Sequence, residues 1–355
     1  MQRILVGLSL IAAFGCKQRD NGSQVMDSAV VTITGTSTGI TTGNGDGPAL
    51  NVTWNHGTQY CVNNTDPPIQ TFQFDANTWI LRENKCAGPV DPSAAANKST
   101  YHISDSFEAP FIYLLFGSNK VLMLDSGSVS EAKYVPMRAT VDQIISSWLA
   151  QNNQSSIQLI LAHTHSHQDH IYGDGQFQGR PNTTIVGYGQ DNVGQFFGFT
   201  DWQTSSATFD LGGGRVLDVL PIPGHLEDHI AIYDRQDALL LTGDTLYPGH
   251  LFINDWTTYQ ASIARLAAFV ANRPVSYVLG AHIEAKNAPI PDQKHSSAPA
   301  DRFYVYGETW QPDEHILELH KSLVLELNQA MIDAGPTPVS VFHDDFHIDP
   351  PGIDY

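Results

Sequence analysis

Basic side chains are scarce in this sequence: 18 Lys and Arg stand against 37 Asp and Glu, a formal charge of −19. So acidic a chain lacks the cationic surface that displaces counterions from a phosphate backbone, which excludes nucleic acid as a partner class. Charge of either sign is thin, at 15% of residues against roughly 25% in an average soluble domain. Polar surface therefore falls to Ser, Thr, Asn, Gln and Gly. Cysteine is nearly missing. Three residues are too few for a dense disulfide scaffold and one short of a four-thiolate zinc module. Beyond the N-terminus no apolar run is long enough to span a bilayer. What is present is enough apolar material, 41% of 355 residues, for a sizeable core. Histidine is the outlier, with 15 residues, four of them within 163–170.

The first 16 residues read as a targeting segment. Arg3 is followed by an apolar run from Ile4 to Phe14 and then by Gly15-Cys16, the charged start and short apolar stretch of a secretory signal. Ala13-Phe14-Gly15-Cys16 resembles a bacterial lipobox, in which Cys16 would be acylated; an ordinary cleaved signal is the alternative. Residues 17–50, above all the Thr/Gly/Ser tract 32–48, have little hydrophobic periodicity and read as a flexible tether. The expectation is an exported protein, periplasmic or anchored at the outer membrane, touching the membrane through its lipid alone. Cys61 and Cys86 remain, and in an oxidising compartment they are expected to pair; two separate reduced thiols are the alternative.

From residue 51 to 355 short apolar runs alternate with helical spacing, the pattern of a layered α/β domain. Strands are expected at Phe111–Phe116, Val121–Leu124, Ile157–Leu161, Thr183–Val186, Arg215–Ile222, Ile230–Tyr233, Ala238–Leu241 and Val275–Leu279. Val141–Leu149 and Thr258–Val270 have helical spacing. Residues 313–333 predict an amphipathic helix with Ile316, Leu319, Leu323, Leu327 and Ala330 on one face. This closes the domain as a helical C-terminal extension. Residues 283–302 read as a surface loop.

Chemistry concentrates after the strand Ile157–Leu161. His165-x-His167-x-Asp169-His170 puts three imidazoles and a carboxylate on six residues, the donor types that suit zinc, manganese and iron. Three further donors stand at the same structural place. His225 follows Pro223-Gly224, Asp244 follows Gly243, and His282 follows Gly280-Ala281, each just past an apolar strand. Glycine before the donor lets the backbone turn tightly. Four strand ends on one sheet edge would gather five His and two Asp.

These residues, with Asp125-Ser126-Gly127 after Val121–Leu124, resemble the metallo-β-lactamase superfamily over about residues 105–285. The resemblance implies a four-layer αβ/βα sandwich with metals at one edge. It implies His165, His167 and His225 on a first metal, Asp169, His170 and His282 on a second, and Asp244 bridging them. The implied cofactors are two zinc ions, with iron or manganese the alternatives. The bridging Asp points to the glyoxalase II, lactonase and phosphodiesterase branches rather than to typical β-lactamases. The implied chemistry is attack by a metal-activated hydroxide on an ester, thioester or lactone-type bond of a small molecule. Asp169 and Asp244 are the catalytic candidates, and Asp125 and Thr164 the groups expected to fix the imidazole tautomers from behind. A β-lactamase-like amide hydrolase and an iron-dependent persulfide-type dioxygenase are the alternatives on the same fold.

Other residues carry weaker expectations. His163 is expected to be structural or to support the first ligand, and His229 to have a surface or core role, with a substrate contact as the alternative. Tyr247 and His250 are candidate substrate contacts. Tyr172, Phe196, Phe197, Phe199, Trp202 and Trp256 are read as core with a cleft role as the alternative. His343 and His347, with Asp344 and Asp345, are read as a solvated tail, with a surface metal site as the alternative.

Overall fold

The computed structural model describes residues 33–36 (backbone only), 50–59, 61, 64–88, 106–287, 302–305 and 307–352. All lie in one contact unit, Val31–Tyr355. The expected signal, Cys16 and most of the tether fall outside them. One piece of the tether is ordered into the sheet: β1 (Ile33–Thr36) pairs in parallel with β2 (Ile69–Asp75). A sheet edge offers unpaired N–H and C=O groups, and these recruit backbone regardless of side-chain periodicity.

The first sheet runs in spatial order β1, β2, β3 (Thr78–Glu83), β4 (Phe111–Phe116), β5 (Lys120–Leu124), β6 (Gln158–Ala162) and β7 (Thr183–Ile185). Pairing is antiparallel from β2 to β5 and parallel from β5 to β7. The expected turn between β4 and β5 closes with Gly117 N–H donating to the Lys120 carbonyl. A parallel step needs a crossover, and helix α1 (Met137–Gln151) supplies it between β5 and β6. Its Val141, Ile144, Ile145 and Trp148 are buried, as their spacing predicts. Short helices α2 (Gln168–Ile171) and α3 (Asp174–Phe177) follow β6, and α4 (Gly189–Phe197) follows β7.

The second sheet opens with the meander β8 (Ala207–Gly212), β9 (Arg215–Pro221), β10 (Ile230–Asp234) and β11 (Leu239–Gly243). The chain leaves it through β12 (His250–Phe252) and α5 (Trp256–Ala271), whose N-terminus is capped by Asp255 accepting from Thr258 N–H. It returns as β13 (Tyr277–Gly280), parallel to β11, and adds the edge strand β14 (Glu318–Leu319).

The last helix, α6, spans Lys321–Ala334 and not 313–333. Leu323, Leu327 and Ala330 keep the buried stripe, while Ile316 is exposed and Leu319 pairs with Val278 in the sheet. The free edge of β13 outcompetes helix propagation there. Nor does the domain end helically. β15 (Val341–Phe342) and β16 (His347–Asp349) join β12 in a third sheet, so the expected solvated tail is a structured edge with His347 and Asp349 buried. In the expected surface loop, 288–301 lies outside the described residues, while Ala285 and Lys286 bridge to Phe303 and Glu314.

Strand alternation builds the layers. On β4, Phe111, Tyr113 and Leu115 face the second sheet, and Ile112, Leu114 and Phe116 face α1. On β11, Leu239 and Leu241 face the first sheet and Leu240 faces α5 and α6. The result is helix, sheet, sheet, helix, as expected. Cys61 and Cys86 are joined by a disulfide. Among the described residues no helix is long and apolar enough to cross a membrane.

Candidate metal centre

The C-terminal ends of β5, β6, β9, β11 and β13 open on one edge of the sandwich, and each delivers a polar side chain there. Two of the turns require glycine. Gly224 has φ +137°, and a Cβ on it would come within 2.4 Å of Tyr259 Cα. Gly243 has φ +51°, and its Cβ would meet Thr164 Cβ at 2.7 Å. Only a bare backbone approaches that closely, and each turn launches the donor that follows it.

The donors converge as two groups that share Asp244. His165, His167, His225 and Asp244 form one; Asp169, His170, Asp244 and His282 form the other. In each group the ligand atoms lie within 4.8 Å of one another. His165 Nε2 and His225 Nε2 stand 3.7 and 3.6 Å from Asp244 Oδ2. His282 Nε2 lies 3.2 Å from Asp169 Oδ2 and 3.3 Å from Asp244 Oδ1.

The outer ring nitrogens are held from behind. His170 Nδ1 is 3.0 Å from Asp125 Oδ2, and His225 Nδ1 donates to the Phe252 carbonyl at 2.7 Å. His282 Nδ1 donates to the Glu108 carbonyl at 3.1 Å, and His165 Nδ1 meets Thr164 Oγ1 at 3.1 Å. Bonds on the outer nitrogen keep its proton there, so Nε2 is the atom each ring has to offer an ion at the centre. Asp125 itself sits at φ +69° and accepts the Thr164 N–H at 2.7 Å.

Charge in the centre is divided. Burial pushes the His165 imidazole well below its ordinary value, and His170 pushes it further. Burial likewise takes His225 down to about 4 against the pull of Asp244. At His170 burial is outweighed by the carboxylates of Asp169, Asp244 and Asp125, which hold the imidazole well above its usual range. At Asp169 and Asp244 burial is likewise outweighed, with His170 the largest opposing influence on both, and both stay well below the carboxylate range. Asp169 Oδ2 and His170 Nε2 lie 2.9 Å apart and Asp244 Oδ1 lies 3.3 Å from His282 Nε2, yet none of the three buried atoms makes a well-directed hydrogen bond. Buried polar atoms of this kind demand a partner. Five imidazoles and two carboxylates aimed at one another fit divalent ions of the zinc class.

The family model of the metallo-β-lactamase superfamily matches residues 106–282. The chain belongs to the metallo-β-lactamase superfamily. Among named relatives, it is 30% identical over 136 residues to a hydroxyacylglutathione hydrolase of Pseudomonas paraeruginosa, covering 37% of this chain and 50% of the relative. It is 33% identical over 117 residues to one of Methylococcus capsulatus, covering 32% of this chain and 44% of the relative. The chain thus spans about half the length of the relatives it matches. Among solved structures it is similar to a metallo-β-lactamase of Pontibacter korlensis, at 14% identity and TM-score 0.44, covering 75% of this chain and 99% of that one.

Within this metallo-β-lactamase domain all seven expected ligands come together, and Asp125 and Thr164 stand directly behind them. His163 is in neither donor group; its Nε2 is 2.9 Å from Asp174 Oδ1. Tyr247 lines the cleft, but its hydroxyl is spent on Glu284 and the His250 carbonyl. His250 is not among the cleft-lining residues and turns instead toward His347 and Asp349. Tyr172 lines the cleft, whereas Phe197 is buried in the core between the sheets with Phe196, Phe199 and Trp202 packed half-buried against it, and Trp256, at the start of α5, is buried in the core under that helix.

Sequence reasoning missed three contributors. His229 is fully buried, stacks on His165 at 4.7 Å, and its Nε2 accepts the Asp244 N–H at 3.2 Å. Its place four residues after His225 was the available signal. Glu83 on β3 accepts from Ser128 N–H and its hydroxyl, shaping the loop after Asp125. Glu284 stands on the cleft wall. Nothing local in the sequence marks either carboxylate. The cleft has a volume of about 770 Å³, and Phe107, Tyr172 and Phe252 line it beside Glu108 and Glu284.

Proposed function

We propose that this protein is a metal-dependent hydrolase that cleaves an ester, thioester or lactone-type bond at a dinuclear site. The supporting observation is the double donor set that shares Asp244. His165, His167 and His225 would hold one divalent ion, Asp169, His170 and His282 the second, and Asp244 both. When bound, a zinc pair supplies water deprotonated near neutral pH and a Lewis acid for the scissile carbonyl. The residues of the chain do the rest. Asp125, Thr164 and two backbone carbonyls keep four imidazoles in the Nε2-donor tautomer, so no reorganisation is needed when substrate arrives. Asp169, held well below the carboxylate range, remains an acceptor that orients the attacking water. The rings of Phe107, Tyr172 and Phe252 give an apolar acyl or leaving group its resting place and exclude water around it.

The wall also shapes the choice of substrate. Glu108 and Glu284 carry carboxylates beside those rings, and like charges repel most where solvent screening is weak. This favours a neutral ester or lactone over an anionic thioester of the kind named for the hydroxyacylglutathione hydrolases.

The test is a panel of neutral esters and lactones, anionic thioesters, a chromogenic cephalosporin and phosphodiesters, run with metal analysis by mass spectrometry. The expected result is zinc in the protein and turnover of neutral esters or lactones that a chelator abolishes and zinc restores. A single iron per chain with oxygen uptake refutes the hydrolase.

A further inference from the structure

A second cluster of donors lies outside the centre, on the third sheet. Strands β12 and β16 run parallel with His250 opposite His347 and Phe252 opposite Asp349. Side chains two apart on a strand share a face. His347 and Asp349 therefore point to one side, and His250 joins them from the neighbouring strand. His250 Nδ1 lies 3.0 Å from His347 Nδ1 and 2.8 Å from Asp349 Oδ2, and His347 Nδ1 lies 3.0 Å from the same oxygen.

Three donors at the corners of a triangle of that size match one ion. Its centre is about 1.7 Å from each corner, so an ion at zinc–ligand distances of about 2.1 Å sits roughly 1.2 Å off the plane. The tautomer agrees. His347 Nε2 is 2.7 Å from Ser340 Oγ, and donation of Nε2–H to that oxygen leaves the Nδ1 lone pair facing the other two donors. The rings are walled in: Phe342 stacks on His347 at 3.6 Å and Phe303 lies 4.8 Å from His250. The His347 and Asp349 side chains are 1% exposed, while the His250 side chain is 16% exposed. Donors 2.8–3.0 Å apart subtend about 84–91° at such an ion, as on one face of an octahedral shell, and the exposed His250 side leaves room for water to fill the remaining positions. Protons alone fit worse: with Nε2–H of His347 given to Ser340, its Nδ1 lone pair would face the Asp349 oxygen at 3.0 Å with nothing between them, and with Nδ1 protonated two N–H groups would crowd that oxygen.

We propose that His250, His347 and Asp349 form an outlying binding site for one divalent ion of the zinc class, separate from the Asp244 centre. The ion ties the C-terminal sheet to the segment after Asp244 that carries Tyr247 and Phe252 into the cleft wall. Its role is to clamp that wall.

The test counts ions. Full-length protein is stripped with chelator, titrated with zinc at micromolar concentration and weighed by native mass spectrometry. The His347→Ala and Asp349→Asn variants are expected to bind one ion fewer than the parent, whatever number the central site takes. A His225→Ala variant is expected to keep the outlying ion. If His347→Ala fails to fold, His250→Ala gives the same comparison from the exposed side. Equal counts in parent and variants, or a difference seen only at millimolar zinc, overturn the proposal.

Discussion

Replacing Asp125 with Asn tests how far the metal centre depends on what stands behind it. The carboxylate is fully buried and has three contacts. It accepts the Thr164 N–H at 2.7 Å, faces the Thr164 hydroxyl at 3.0 Å, and holds His170 Nδ1 at 3.0 Å. Asn keeps the shape and can keep one acceptor on Thr164, but its NH2 then faces the His170 Nδ1–H. Either the amide loses that bond or His170 changes tautomer and turns an N–H toward the centre. A charge-assisted hydrogen bond is worth about 1.5–3 kcal/mol, which is about 10–100-fold in zinc affinity and agrees with the usual effect of such supporting groups. The assay is competition for zinc against a chromophoric chelator, with the melting temperature of the metal-free variant as a control. Affinity within twofold of the parent, in a variant that folds normally, would refute the argument that Asp125 sets the His170 tautomer.

Three further outcomes follow from particular residues. Gly224→Ala places a Cβ 2.4 Å from Tyr259 Cα at φ +137°, so it should cost about 3 kcal/mol; an unchanged denaturant midpoint contradicts this. Burial raises the Glu83 carboxyl to about 7 from its ordinary 4.5. A raised folded pKa stabilises below the unfolded value, and that contribution is lost as pH rises through 7. In chelator-treated protein, Glu83→Gln should therefore gain about 3 kcal/mol relative to the parent between pH 4.5 and pH 8.5, and parallel pH–stability curves would refute it. We further propose that Cys16 anchors the chain to a membrane; Cys16→Ser should appear in the soluble fraction on cell lysis, and retention with the membranes rejects the anchor.

Much of the centre was legible because its chemistry is local. His165, His167, Asp169 and His170 are neighbours in sequence, and the other three donors each stand within two residues of a glycine at the end of an apolar strand. Strand ends recur at predictable places once hydrophobic runs are recognised. Glu83, Glu284 and His229 were not legible in the same way. Each acts on a group that folding brings to it: Glu83 reaches Ser128 across 45 residues, and Glu284 reaches the Tyr247 hydroxyl across 37. The last helix shows the same limit from the other side. Its apolar stripe extended back to Ile316, but pairing of Glu318 and Leu319 with β13 decided where it starts.

The alternation of apolar runs with helical spacing determined by itself the layered α/β class, and the histidine excess with the strand–turn–donor pattern marked the seven side chains that come together as candidate metal donors. They could do so because periodicity sets which face is buried and because glycine marks where backbone must turn. Tertiary structure alone decided which nitrogen of each imidazole faces inward, that carboxylates share the cleft wall with aromatic rings, and that His347 is a buried partner of His250. Those facts depend on distances between residues tens of positions apart, and no local pattern in a chain encodes them.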